Sequence, residues 1–447
     1  MNTGNYIHGQ YLNIKGEIDG AIAEVLASAA FINGPQVARF AANLAAYLQA
    51  ESSVPCASDS SALCSSESSV PCASASNVPR VIPCANGTDA LQIAFMALGL
   101  EPGDEVIVPA FTYVAPAEAI ALLRLVPVLV DVESKNFNIA PASLEQAYSP
   151  KTRAVVPVHL FGQCAHIEPI MEWARARGVF VVEDAAQALG ARYLEGPYKG
   201  QRAGTIGDIG CTSFFPTKTL GCFGDGGALI TKDVALAERI KMLTQHGQRT
   251  KYFHEVLGCN SRLDTLQAAI LDVKLRYLNQ FEAARRQAAQ YYSCELQGVD
   301  GIILPVEEPY STHVYHQYTL RVLNGRRDEL RRHLAAAGIS TQVFYPYPVH
   351  RQPAFASVAR IAGSSTSVAG VFGSSTSVAR IAGSSSSVAG MAGLATPPDG
   401  SSCSECGGLP VSEQLCREVL SLPLHTELSF EMQHTITQQI KTFYKIT

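Results

Sequence analysis

Between residues 81 and 183, short apolar runs alternate with stretches of helical periodicity, an order that few folds accept. Runs at 81–85, 105–109, 126–130, 154–158 and 179–183 read as buried strands, with helical stretches near 90–98, 115–124, 141–147 and 166–177 between them. Strands joined through helices make a mostly parallel sheet with helices on both faces, an α/β fold. Ligands of such sheets bind beyond the carboxyl ends of the strands. Two residues with useful chemistry fall there: Tyr113, which ends Pro109-Ala-Phe-Thr-Tyr113, and Asp184, which ends Val179-Phe-Val-Val-Glu-Asp184.

The first strand runs into Asn86-Gly87-Thr88-Asp89, just before a helical pattern. Free amides at a helix start suit a phosphate, Gly87 admits close approach and the Thr88 hydroxyl adds a donor. An ordinary helix cap would read the same way. Later, the window Cys211–Gly227 surrounds Lys218 with hydroxyls, aromatics and Gly221, Gly224, Gly226 and Gly227. A lone lysine is usually a solvated surface charge. An acid at a strand end followed by a lysine on a later turn is, however, what pyridoxal phosphate requires. Its aldehyde condenses with an amine, and its ring nitrogen needs an acid that keeps it protonated. Gln187, one helical turn past Asp184, is within reach of the ring's phenolic oxygen; Tyr113 either stacks on the ring or packs in the core. The glycines do not have dinucleotide-binding spacing.

Five motifs occur in one order: Asn86-Gly-Thr-Asp-Ala90, Pro109-Ala-Phe-Thr-Tyr113, Glu183-Asp-Ala-Ala-Gln187, Ser213-Phe-Phe-Pro-Thr-Lys218 and Asn260-Ser-Arg-Leu-Asp264. Together they resemble the DegT/DnrJ/EryC1/StrS family of pyridoxal-phosphate-dependent nucleotide-sugar aminotransferases, over about residues 10–447. The resemblance implies the aspartate aminotransferase fold, fold type I, and a homodimer with a shared active site. Lys218 is then the catalytic lysine, Gly87, Thr88, Asp89, Tyr113, Asp184, Gln187 and Ser213 hold the cofactor, and Asn260 reaches the partner's cofactor phosphate. Arg262, Tyr315, His316 and Tyr345, with His350 nearby, face the substrate. Without the resemblance, Arg262 reads as a surface residue at a helix start. Glutamate is the implied amino donor and a nucleotide-linked keto sugar the acceptor. The motifs look most like enzymes acting on UDP-2-acetamido-2-deoxy-3-oxo-glucuronate, with dTDP-linked 3- or 4-keto sugars as the alternative. A dehydratase of the same fold carries histidine in place of the lysine, which Lys218 argues against. A non-catalytic pyridoxal-binding regulator and a desulfurase are the other rivals, and nothing around Cys222 looks poised to lower its pKa.

The 447 residues suffice for two domains, expected at 1–275 and 276–447. Two low-complexity tracts look like solvated insertions: residues 50–78, and 357–408, where Ser-Val-Ala recurs every ten residues. A net charge of −5 gives no electrostatic case for nucleic acid or an anionic membrane. No membrane span or signal peptide is apparent, so a cytoplasmic protein is expected. The twelve cysteines suggest no disulfide framework, and the lone Cys403-Ser-Glu-Cys406 no metal site. A further strand is expected over 340–345, and one long helix over 264–293.

Overall fold

The computed structural model describes residues 4–49, 78–363 and 408–445. The tract 50–77 and the greater part of 357–408, including Cys403 and Cys406, lie outside the described residues.

The chain opens with helices α1 (Gly4–Asn13), α2 (Lys15–Ser28) and α3 (Pro35–Gln49). Then come β1 (Arg80–Cys84), α4 (Gly87–Leu98), β2 (Glu105–Pro109), α5 (Ala115–Leu122), β3 (Val126–Val130), α6 (Leu144–Ala147), β4 (Thr152–Val155), α7 (Ile167–Arg177) and β5 (Phe180–Asp184). They are followed by β6 (Ile209–Ser213), β7 (Gly227–Thr231), α8 (Val234–Leu243) and a short hairpin, β8 (Gln248–Thr250) with β9 (Phe253–His254). The remainder comprises α9 (Thr265–Leu275), α10 (Leu278–Leu296), β10 (Ile302–Ile303), β11 (Tyr318–Val322), α11 (Arg327–Ala336), β12 (Arg360–Ile361), α12 (Pro410–Glu418), β13 (Val419–Leu422) and α13 (Phe430–Phe443).

One sheet has the order β1-β7-β6-β5-β4-β2-β3-β12. From β6 to β12 all pairs are parallel; β7 runs antiparallel to both β6 and β1. Every residue of β2 and β7 is buried, as strands covered on both faces require. A second, antiparallel sheet, β10-β11-β13, packs through Tyr318, Leu320 and Leu420 against Tyr292 of α10, Leu334 of α11 and Ile440 of α13. Among the described residues no helix is long and apolar enough to cross a membrane.

The smaller unit is not one continuous piece of chain. Val349, Phe355, Leu409 and Leu415 join the apolar core of the large sheet. Helix α10 serves both cores: Leu278 packs with Phe40 and Phe214, whereas Tyr292 and Leu296 pack under the small sheet. The start of the Ser-Val-Ala tract also differs from expectation. Arg360–Ile361 adds to the large sheet beside β3, and Arg360 meets Glu105 Oε2 at 2.8 Å and the Ala147 carbonyl at 2.7 Å.

Two expected elements change. No strand forms over 340–345: Gln342 makes a single bridge to Ser421, and Pro346 and Pro348, which lack N–H donors, follow at once. The helix expected over 264–293 is two helices. At Arg276 and Tyr277 the backbone N–H groups bond three residues back, to Val273 and Lys274, and this tighter turn separates α9 from α10.

Candidate functional site

Helix α4 begins with an open end. Asn86 is extended (φ −166°, ψ 173°), and its side chain accepts from the Asp89 N–H at 2.8 Å. Its carbonyl accepts from the Ala90 N–H. The N–H groups of Gly87 and Thr88 have no partner among the described residues, which leaves two donors at the positive end of the helix dipole. Ser213, the last residue of β6, lies against this end: a Cβ on Gly87 would stand 2.8 Å from the Ser213 Cβ. Gly227 is equally constrained, since its Cβ would come within 2.4 Å of the Asn86 carbonyl carbon. Small residues on both strands thus let the helix start seat directly on the sheet, forming a cradle that fits a phosphate. Asp89 departs from its expected role. Its N–H is held by Asn86 and its side chain carries the wrong charge, so it offers a phosphate no donor.

Side chains alternate across a strand, so Glu183 and Asp184 point to opposite faces of β5. Glu183 turns inward and accepts from His159 Nε2 at 2.8 Å and from the N–H groups of Gly204, Ile206 and Gly207 at 3.0, 2.6 and 2.6 Å. Burial pushes its pKa up, yet these bonds hold it below the ordinary value. His159 Nδ1 accepts from the Ala165 N–H at 2.9 Å, which places the ring proton on Nε2. Sequence reasoning missed this pair, although the adjacent acids at a strand end were the signal.

Asp184 turns to the cleft. Its Oδ1 accepts from the Ala186 N–H at 3.0 Å, and its other oxygen has no partner among the described residues. Burial raises its pKa, against the Ala186 bond and the charge of Lys218. Burial likewise lowers the Lys218 ammonium to about 8, against the attraction of Asp184. For both groups desolvation outweighs their mutual attraction, so they do not form a closed ion pair. A cationic ring nitrogen would complete Asp184, and Lys218 is left with a substantial neutral amine fraction near neutrality.

Tyr113 is 56% exposed, with its ring centroid 6.2 Å from that of Tyr345; its neighbour Phe111 takes the core position. Gln187 is held at both ends: Oε1 accepts from the Phe161 N–H at 2.8 Å, and Nε2 donates to the Tyr345 hydroxyl at 3.0 Å. One Nε2 hydrogen therefore remains for another acceptor.

The expected substrate side divides. Arg262 is half-buried without an ion pair among the described residues, Asn260 is exposed, and the intervening Ser261 is buried, its Oγ accepting from the Ala85 N–H at 3.1 Å. His316 is buried near Lys218, and its Nδ1 has no partner among the described residues; burial, with Lys218 and Arg285, holds its pKa well below the usual histidine value. Tyr315 does not reach the cleft. Its left-handed backbone (φ 47°) turns it into the core of the small sheet, where it stacks on His313 at 3.9 Å. His350 is also occupied, bonded through Nε2 to Glu413 at 3.0 Å. Unforeseen from sequence is a cavity of about 500 Å³ beside Thr217 and His316, walled by Tyr6, Phe344, Leu424 and His425. Tyr6 stacks on His425 at 4.9 Å, so α1 closes one side of it.

A mostly parallel sheet with a lysine and a carboxylate that has no ion pair among the described residues beyond its strand ends, beside an open helix start, defines the aspartate aminotransferase class of pyridoxal-phosphate enzymes. Within it the chain belongs to the DegT/DnrJ/EryC1/StrS aminotransferase family, whose profile matches residues 72–373. It is 44% identical, over 78% of its length, to the UDP-2-acetamido-2-deoxy-3-oxo-D-glucuronate aminotransferase of Pseudomonas aeruginosa, covering 88% of that protein. It is 38% identical to a pleiotropic regulatory protein of Geobacillus stearothermophilus over 98% of this chain and 96% of the relative. DesV of S. venezuelae, solved in complex with a ketimine intermediate, superposes with a TM-score of 0.78 at 36% identity, covering 99% of this chain and 98% of that one. The protein is a sugar aminotransferase and its cofactor is pyridoxal phosphate.

Proposed function

We propose that the enzyme moves an amino group from glutamate to C3 of UDP-2-acetamido-2-deoxy-3-oxo-glucuronate, in the making of amino sugars for polysaccharide. The observation that carries the chemistry is the pairing of Lys218, lowered to about 8, with an Asp184 that has a free carboxylate oxygen. The substrate rests on the 44% identity to the Pseudomonas enzyme and on Arg262, a cation without an ion pair among the described residues that suits a uronate carboxylate.

Bound pyridoxal phosphate supplies an aldehyde that exchanges amines and a ring that takes up the electron pair left at the reacting carbon. In this reading Gly87, Thr88 and Ser213 hold its phosphate, Tyr113 covers one ring face, Gln187 donates to its phenolic oxygen, and Asp184 keeps its nitrogen protonated. Lys218 Nζ would accept the proton from the donor's α-carbon and deliver it to the carbon that carried the cofactor's aldehyde, two bonds away across the amine nitrogen. His316, held neutral, can accept or donate a hydrogen bond to sugar hydroxyls without adding charge. Asn260, exposed beside Ser261, serves the cofactor of a second copy, and the enzyme works as a cytoplasmic homodimer.

The test is the absorbance spectrum of the purified protein before and after glutamate, then after the keto sugar. Glutamate should convert the long-wavelength band of lysine-bound cofactor into the shorter-wavelength amine form, and UDP-2-acetamido-3-oxo-glucuronate should restore it. A response to glutamate that only another keto sugar reverses would overturn the substrate assignment.

A further inference from the structure

Lys274 lies on α9, 2% exposed, and makes no ion pair among the described residues. A buried ammonium without a counter-ion is costly, and methionine or leucine would fill the same volume without that cost. What the ammonium does is donate to the carbonyl oxygen of Gly221, three residues after Lys218.

That carbonyl belongs to a tightly folded loop. Phe214 N–H donates to Gly226 at 2.7 Å, Lys218 N–H to Phe215 at 2.8 Å and Cys222 N–H to Phe214 at 2.8 Å. The Cys222 thiol lies 3.0 Å from the Phe214 carbonyl and 3.1 Å from that of Gly224. Gly221 leaves no room for a side chain, because a Cβ would stand 2.4 Å from the Pro216 carbonyl. Gln267, seven residues before Lys274 and so on the same face of α9, grips Phe223, two residues after Gly221, twice: Oε1 accepts from the Phe223 N–H at 2.8 Å and Nε2 donates to its carbonyl at 3.4 Å.

The segment that leads into α9 is tied to the helix start: Ser261, four residues before α9, accepts from the Ala85 N–H, one residue ahead of the Asn86 cap. The helix is thereby fastened to the loop that carries Lys218 and, through this short lead-in, to the cradle at α4.

We propose that Lys274, together with Gln267, is a positioning residue for Lys218, and that α9 sets the distance between the lysine amine and the phosphate cradle. The proposal rests on the aminotransferase reading above. Lys274 acts by geometry rather than charge: Asp184 is the charged group that acts on Lys218, and Lys274 is not among them.

The test compares Lys274→Met, Lys274→Arg and Gln267→Ala in the full-length holoenzyme. Single-turnover conversion by glutamate should slow about tenfold in Lys274→Met, while glutamate Kd changes less than about threefold, because misplacement of a reacting group costs rate rather than binding. The pH titration of the lysine-bound cofactor band should move with it, and Lys274→Arg, which keeps a donor, should recover most of the rate. Wild-type rate and titration in Lys274→Met, or an arginine variant no better than methionine, would overturn the proposal. Should Lys274→Met not fold, Gln267→Ala carries the test: a slower half-reaction is expected, and wild-type behaviour refutes it. If the wild type itself ignores glutamate, the reading of glutamate as the amino donor has failed. Hydrogen exchange over residues 214–224 then judges the clasp alone, with faster exchange expected in the variants and unchanged exchange overturning it.

Discussion

His159 Nε2 donates to Glu183 Oε2 at 2.8 Å, with both side chains fully enclosed, one residue along the strand from Asp184. The backbone completes the link: His159 N–H donates to the Asp184 carbonyl, and Asp184 N–H to that of Pro157. Glu183→Gln removes a carboxylate that accepts four bonds and puts an amide where two backbone donors converge. Thermal melting should show a loss of about 3 kcal/mol or more; a loss under about 1 kcal/mol would mean the bonds are not holding the strand end.

Asp184→Asn keeps the oxygen that the Ala186 N–H requires and removes the charge. The fold should stay at or above wild-type stability, since a buried carboxylate raised in pKa is relieved. The half-reaction with glutamate should fall on the order of 10²–10³-fold. Stopped-flow absorbance measures it, and a variant within about threefold of wild type would remove Asp184 from its role.

Gly87→Ala places a methyl group 2.8 Å from the Ser213 Cβ. The start of α4 must lift off β6, so retention of pyridoxal phosphate during dialysis should weaken by about tenfold or more, the loss of one to two good hydrogen bonds. Unchanged retention would place the phosphate elsewhere.

The Lys218 ammonium sits at about 8 in the folded protein against an ordinary 10.5. The unfolded chain then holds this proton more tightly, so folding is penalised below about pH 8 and stability is regained as the pH rises toward 10.5. Urea melts of the cofactor-free protein should show wild type gaining on Lys218→Met by up to about 3 kcal/mol across that interval. A constant difference would contradict the burial of the amine.

Arg360→Ala should cost about 1–3 kcal/mol, because it leaves the mostly buried Glu105 with the Ser149 hydroxyl but no cation, and removes the Ala147 carbonyl's donor. A neutral result in denaturant melts would show that β12 adds nothing to the sheet.

The alternation of apolar runs and helices made the parallel sheet readable, and the strand-end rule put Tyr113 and Asp184 at its binding edge. The meeting of Gly87 with Ser213 was legible because each answers a local demand, a backbone approach and a hydroxyl at a helix start. Tyr315 and Asp89 were misplaced for equally local reasons, a left-handed φ and an N–H committed to a cap, which a motif does not display. The role of Lys274 was invisible because it arises from a contact with Gly221, 53 residues away, and the cavity beside Tyr6 and His425 because it joins opposite ends of the chain. Antiparallel β7 and the break at Arg276 likewise depend on tertiary packing rather than on pattern.

The pairing of β12 with β3 bears on how the protein emerges from the ribosome. Arg360 reaches back 255 positions to Glu105. The large sheet therefore keeps β3 as a bare edge until residue 361 has left the exit tunnel, long after β1 to β7 have been made. During that interval a nascent chain exposes the open edge of an apolar strand that β2 alone pairs, and the order of its strands sets how long that edge stays open.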